Sequence, residues 1–136
     1  MTLDEEIKDI IKTSKTIAVV GISRNPDKAA HGVPKYLQSQ GYKIVPVNPK
    51  ADKILGEKAY PTLKDLPLKV DIIDIFRPSE QTPAIVKVAV TLKPKLIWLQ
   101  LGIANEEAEK IAKKHNISIV MNKCLKVEHM KIARKS

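Results

Sequence analysis

The residues equipped for chemistry stand in five short clusters, each at the end of an apolar, β-branched run. Gly21, Ile22, Ser23 and Arg24 follow "TIAVV", with Lys28 four residues further on. Asn48, Pro49 and Lys50 follow "YKIVPV", and Phe76, Arg77 and Pro78 end the run "VDIIDI". Leu99 and Gln100 lie in "KLIWLQL", and Asn122, Lys123 and Cys124 follow "ISIVM". Main-chain amides, a hydroxyl, carboxamides, ammonium groups and a guanidinium are donors. Together they suit the holding of an anion better than the breaking of a bond.

The first cluster specifies the anion further. A strand, a glycine and a helix commonly hold phosphate, but the dinucleotide fingerprint needs a second glycine for close approach and a third for helix packing. Ser23 and Pro26 stand in those places. Loop and helix-start amides can still cup a pyrophosphate, with the Ser23 hydroxyl as a donor and Arg24 and Lys28 as nearby charge. About 27 residues beyond Gly21 an NAD site normally offers a carboxylate to the ribose hydroxyls. This chain has Asn48-Pro49-Lys50 there, and Lys50 favours a phosphorylated ribose. NADP and coenzyme A both meet that description.

Other reactive groups are sparse. Cys124 lies near Lys123 and Lys126, which would lower its pKa, but nucleophilic catalysis also needs a positioned base. His129 is near in sequence, at a spacing poorly aligned on one helix. Arg77, stiffened by Pro78, can bind phosphate bidentately or pair with Glu80. Glu128 reads as a capping or packing residue and His115 as a complement to a helix dipole. Trp98 reads as core. Three histidines and one cysteine, widely separated, lack metal-site spacing. No acid–base constellation emerges, so a binding protein rather than an enzyme is expected.

Composition narrows the setting. The chain has 136 residues, 43% hydrophobic, which is enough for one domain with a real core. No apolar run is long enough to span a membrane, and the acidic start "MTLDEEIKDIIKTSK" is unlike a signal peptide. A single cysteine fits a reducing cytoplasm. Twenty-four basic against 15 acidic residues give a net charge of +9, which calls for an acidic partner. Nucleic acid is disfavoured, because only five aromatic residues are present, scattered rather than interleaved with the charge.

The elements that must position these clusters follow from the pattern. A helix is expected over residues 3–13, capped by Thr2 with Glu5. Strands are expected at 16–20, 42–48, 70–76, 95–101 and 117–121. A second helix starts with Pro34 in its first turn and ends at Gly41, and Pro83 opens a third. Asn105 caps a fourth, closed by Asn116, and a basic helical tail occupies 125–136. The segment from 49 to 67 reads as irregular, with a short helix near Leu63. Uniformly apolar strands alternating with helices predict an α/β fold. It is a doubly wound, Rossmann-like, five-stranded parallel sheet in the order 3-2-1-4-5 with helices on both faces. Pro46 fits poorly in the second strand, since it removes a ladder donor and favours an edge or bulge. Ligands in such sheets occupy the crevice beyond the carboxyl ends of the strands, where all five clusters fall.

The motifs "GISRNPDK", "YLQSQGYKIVPVNPK", "LGEKAYPTLKDLP", "VDIIDIFRPSE", "WLQLG" and "CLKVEH", in this order, resemble the small single-domain CoA-binding proteins. These are similar to the nucleotide-binding domain of the succinyl-CoA synthetase α subunit, and the likeness runs from about residue 14 to 132. It implies a single CoA-binding domain over 1–136, with coenzyme A or a CoA ester at the strand ends and no acyl-CoA chemistry of its own. Matched residue by residue, it puts Gly21, Ile22, Ser23 and Lys28 at the pyrophosphate. Asn48, Pro49 and Lys50 fall beside the phosphorylated ribose and adenine. Phe76, Arg77 and Pro78 match the family's "FR" element, Leu99 and Gln100 its "WLQ" element, and Cys124 its cysteine. His31-Gly32 replaces bulkier residues, and Asn122-Lys123 a frequent Asp-Arg pair, which weakens the case for acid–base work there. The alternative is an NADP-binding enzyme or an acyl-CoA ligase component that needs a partner chain. A homodimer or another protein partner is equally compatible with the residues.

Overall fold

The protein is described from a computed structural model, which covers residues 3–134. Helix α1 (Glu5–Thr13) opens it; the Asp4 carboxylate accepts from the Ile7 N–H at 2.9 Å and caps the helix. The expected cap at Thr2 lies outside the described residues. Glu5 and Glu6 in the first turn and Lys12 in the last complement the helix dipole, and Ile7 and Ile11 face the core.

Five parallel strands form the sheet: β1 (Thr16–Val20), β2 (Lys43–Val47), β5 (Ile72–Ile75), β6 (Leu96–Leu99) and β7 (Ser118–Val120). Between β2 and β5 a small hairpin, β3 (Lys53–Ile54) with β4 (Glu57–Lys58), occupies part of the segment expected to be irregular. Its two-residue turn puts Leu55 and Gly56 at φ of 55° and 77°. A 3₁₀ turn at Leu63–Asp65 follows. Helices α2 (Ala29–Ser39) and α5 (Leu125–Arg134) join α1 on one face of the sheet, around Ile17, Val19, Ile72 and Trp98. Helices α3 (Thr82–Ala89) and α4 (Glu106–Lys114) cover the other, around Ala18, Ile73, Ile75 and Leu99. The sheet is doubly wound, as expected, and its strands are mostly apolar because both faces are buried, with Asp74 in β5 the exception inside the core.

The strand order differs from 3-2-1-4-5. The sheet runs β2-β1-β5-β6-β7, so that, counting only its own strands along the chain, the order is 2-1-3-4-5. Pro46 supplies the reason. Its carbonyl points away from β1 and accepts from the Tyr60 N–H at 2.9 Å, and its missing N–H lies on that same outer side. A full strand there would lack a ladder donor. The outer edge of β2 is met only by one parallel bridge, Val47 to Tyr60, and β5 pairs instead with the free side of β1, Ile17 opposite Ile72.

Pro34 also falls elsewhere than expected, in the interior of α2 rather than its first turn. A proline there leaves the carbonyl four residues earlier without its helical donor. That carbonyl, on Ala30, accepts instead from the Ser23 N–H at 3.0 Å. The defect in the helix therefore fastens the loop that follows β1. Pro83 and Asn105 stand where expected, at the starts of α3 and α4. Asn116, at φ 58°, closes α4.

Candidate functional site

The order of the strands moves the topological switch point to the gap between β1 and β5, where ligands of such sheets gather. Gly21 lies in that gap. Its φ is +83°, and a Cβ on it would come within 2.4 Å of the Phe76 carbonyl oxygen and 2.9 Å of the Arg77 side chain. Only glycine can turn the chain there and still let the β1 and β5 ends approach. The Gly21 N–H is held by the Val47 carbonyl at 3.1 Å, so three strand ends are locked together. Asn48 extends the lock. Its amide donates to the Ile22 carbonyl at 2.9 Å, and its side-chain oxygen accepts from the Lys50 N–H at 2.7 Å.

Beside this junction a cleft of about 650 Å³ opens between the end of β2, the 3₁₀ turn and α3. Gly21, Asn48, Pro49, Lys50 and Arg77 line it, together with Val20, Val47, Leu63, Ala84, Ile85 and Val88. Its charged residues are Lys50, Lys64 and Arg77, and no carboxylate lines it. The Arg77 guanidinium is steered by Gln81, whose side-chain oxygen accepts from Nε and Nη2 at 3.1 and 3.0 Å. That contact orients the fork without neutralising it. Arg77 pairs with Gln81 rather than with Glu80. An apolar wall facing three uncompensated cations suits a flat, apolar body that carries anionic groups.

Lys64 and the α3 wall escaped the sequence reading. "PTLKDLP" stands out as a motif, but only the bridge between Tyr60 and Val47 brings its turn over the cleft. The loop from Ser23 to Lys28 borders the junction on its other side. The Ser23 N–H is engaged by Ala30, while its Oγ accepts from the Asn25 N–H at 3.0 Å. His31 Nδ1 lies 2.8 Å from the Ser23 carbonyl, a further tie between this loop and the first turn of α2. Arg24 and Lys28 are exposed, and Ile22 is buried in the core, so Ile22 can serve a ligand only through its backbone. Pro78, also exposed, precedes the 3₁₀ turn Ser79–Gln81, and half-buried Phe76 packs against the core.

Leu99, Gln100 and Cys124 are not part of the cleft. Leu99 is fully buried on the α3/α4 face. Gln100 is 3% exposed, and its side-chain oxygen accepts from the Leu125 N–H at 3.1 Å, capping α5. Trp98, core as expected, donates from Nε1 to the Lys123 carbonyl at 2.7 Å. Cys124 is half-buried against the same core. His129 Nδ1 lies 2.8 Å from the Tyr36 hydroxyl, and its ring stands edge-on to Tyr36 and Tyr42; burial lowers its pKa. His129 is thus held towards its neutral form and engaged by Tyr36. Glu128 is buried and pairs with Lys131 at 3.3 Å, and His115 Nδ1 lies 3.0 Å from the Ile111 carbonyl.

Asp74 is the one buried carboxylate of the strands. It sits in the middle of β5 between Val19 and Trp98, fully buried, with no hydrogen-bond partner for either oxygen. Burial pushes its pKa well above the ordinary range, so the group is held towards its neutral form. Among the described residues no cluster of His, Cys, Asp or Glu could hold a metal ion, and no helix is long and apolar enough to cross a membrane.

Comparison with known proteins bears on the fold and the family. The uncharacterized protein YneT of Bacillus subtilis is 43% identical over 124 residues, 91% of this chain and 92% of its own. ADP-forming acetate–CoA ligase II of Archaeoglobus fulgidus is 36% identical over 117 residues; the match takes in 77% of this chain but only 17% of the ligase. The solved structure of cell-free ID.343 from Thermus thermophilus superposes with a TM-score of 0.91 at 41% identity, covering 96% of this chain and 99% of that one. A hypothetical protein from Pyrococcus horikoshii gives 0.92 at 38% identity, with 96% and 92% covered. Residues 15–130 match the family described as CoA binding domain. With nearly the whole chain inside that match, the protein belongs to the CoA-binding domain family.

Proposed function

We propose that this protein binds coenzyme A or a CoA ester at the carboxyl ends of β1, β2 and β5, without catalysis of its own. The observation that carries the reading is the cleft itself: an apolar wall, three cations and no carboxylate. In this assignment the adenine lies against Ile85 and Val88, and the pyrophosphate at Gly21, Ile22, Ser23, Arg24 and Lys28. Asn48, Pro49 and Lys50 flank the ribose with its phosphate, and Arg77, between Phe76 and Pro78, reaches the phosphates from the β5 side. Leu99 and Gln100, taken up by the core and by the cap on α5, lie outside this assignment, and so does Cys124, packed against the core. Family membership supports the choice of coenzyme A over NADP. A cytoplasmic setting is part of the same proposal, supported by the single cysteine.

Calorimetric titration with CoA, dephospho-CoA, NADP and ATP tests the reading. CoA should bind most tightly, and dephospho-CoA about 1.5–3 kcal/mol more weakly, the loss of a charge-assisted contact. NADP above CoA would overturn the assignment, and equal affinity for CoA and dephospho-CoA would remove Lys50 from it.

The match to part of an acetate–CoA ligase favours a second reading, in which the domain serves an acyl-CoA ligase completed by a partner chain. Formation of acyl-CoA that depends on both this chain and a co-purifying protein would establish it.

A further inference from the structure

The assignment of Lys50 to a ribose phosphate leaves the third cation of the cleft, Lys64, without a task. Its position is built rather than accidental. The 3₁₀ turn that carries it is fixed by a capping box, in which the Asp65 carboxylate accepts from the Thr62 N–H at 3.0 Å and the Thr62 hydroxyl at 2.8 Å. The adjacent acid is thereby occupied with Thr62, and no ion pair to Lys64 exists among the described residues. Tyr60 runs parallel to Val47 and is bonded on both sides, to the Pro46 carbonyl and the Asn48 N–H. Chain segments leaving Val47 and Tyr60 therefore exit the same rim side by side. Lys50 is three residues beyond the first and Lys64 four beyond the second, and both line one cleft.

Arg77 approaches from the other side. It leaves β5, two strand positions from β2, or roughly 10 Å at the usual spacing. The cations of the cleft thus come from two separate places, Lys50 and Lys64 beside the end of β2 and Arg77 at the end of β5. We propose that Lys64 and Lys50 form a two-lysine clamp that selects nucleotides bearing a second phosphate on the ribose, and that Lys64 is its specificity-determining member. This rests on the reading of the cleft as a CoA site. Two ammonium groups converging on one dianion discriminate against a ligand that lacks it more sharply than either alone. Without the dianion the pair faces unrelieved repulsion.

The test compares CoA with dephospho-CoA, and adenosine 3′,5′-bisphosphate with 5′-AMP, on the unaltered protein and on Lys64→Gln, Lys64→Arg and the distant control Lys114→Gln. Lys64→Gln should weaken CoA and the bisphosphate about three- to tenfold, while dephospho-CoA and 5′-AMP change less than twofold. Lys64→Arg should restore most of the difference. Equal weakening of all four ligands, or the same loss in Lys114→Gln, would reduce Lys64 to general surface charge and overturn the clamp. No change in Lys64→Gln would overturn it too, yet leave CoA binding intact. If the unaltered protein binds neither CoA nor the bisphosphate, the reading of the cleft fails together with the clamp.

Discussion

Two halves of one rim behave differently. Along the β2-β1-β5 half, side chains at the strand tips are left for something else to use: Lys50 and Lys64 without ion pairs among the described residues, Arg77 steered by a neutral carboxamide, and a 650 Å³ cleft beside them. Along the β6-β7 half, equivalent tips are already satisfied within the protein. Trp98 and Gln100 both reach across to the start of α5, and Asn122 Oδ1 accepts from the Gly102 N–H at 2.7 Å. The difference has a physical cause. α5 begins soon after β7 and brings its own unsatisfied N–H groups to that half, so Gln100 is consumed as its cap, while Trp98 and Asn122 are spent on the loops beside it, at the Lys123 carbonyl and the Gly102 N–H. No helix follows β2, and the hairpin and 3₁₀ turn that do leave the cleft open.

Glycines give the sharpest way to break the comparison. Gly21 and Gly102 have nearly the same φ, +83° and +85°, one in each half. A Cβ on Gly21 meets backbone, whereas one on Gly102 meets nothing within 4 Å. Gly21→Ala should therefore cost about 3 kcal/mol or more in denaturant unfolding and abolish CoA binding, while Gly102→Ala costs about 1–2 kcal/mol. Similar costs for both would mean that the β1–β5 junction is no tighter than the other half.

Asp74 lies beneath the boundary between the halves and gives the next effect. Its folded pKa is raised by burial above the unfolded value, so the folded state holds the proton more tightly. Its contribution should then be least unfavourable below about pH 4. Stability should fall as pH rises from there towards the raised folded pKa, by up to about 1.4 kcal/mol per pH unit. Asp74→Asn should flatten that slope in urea titrations at a series of pH values. A slope unchanged by the substitution would show that the carboxyl finds a partner.

Gln100→Ala strips the cap from a buried Leu125 N–H and should destabilise by about 1–3 kcal/mol with little change in CoA affinity. A larger loss of affinity than of stability would put the closed half in direct contact with ligand. Arg77→Lys is the mildest of the four. It removes the fork held by Gln81 and should weaken CoA by about 1–2 kcal/mol, leaving the unfolding midpoint nearly unchanged. A shifted midpoint with unaltered affinity would make Arg77 a structural residue.

Much of the fold is legible in the sequence because it rests on local signals. Continuous β-branched runs mark strands buried on both faces, and Asn105, Asn116 and Pro83 mark helix ends by properties of single residues. Pro46 also carried the information that its strand needs a free outer side. Periodicity alone could not turn that into an order, because strand neighbours are chosen by contacts distant along the chain. The hairpin turn at Leu55-Gly56 was harder still. A leucine at positive φ is tolerated there by its surroundings and is not announced by its own preference.

For the site, residue type fixed the chemistry: donors and cations at strand tips, a glycine at the first, and a lysine where a carboxylate would serve NAD. All of that follows from what each side chain can donate or accept. Which tips remain available was decided only by the fold. Gln100 and Lys50 look alike in sequence, a polar residue at the end of an apolar run. Packing spends the first on the amide of α5 and sends the second, beside Lys64, into open space. Hydrogen-bond capacity belongs to the residue, but its use depends on what the rest of the chain brings within 3 Å.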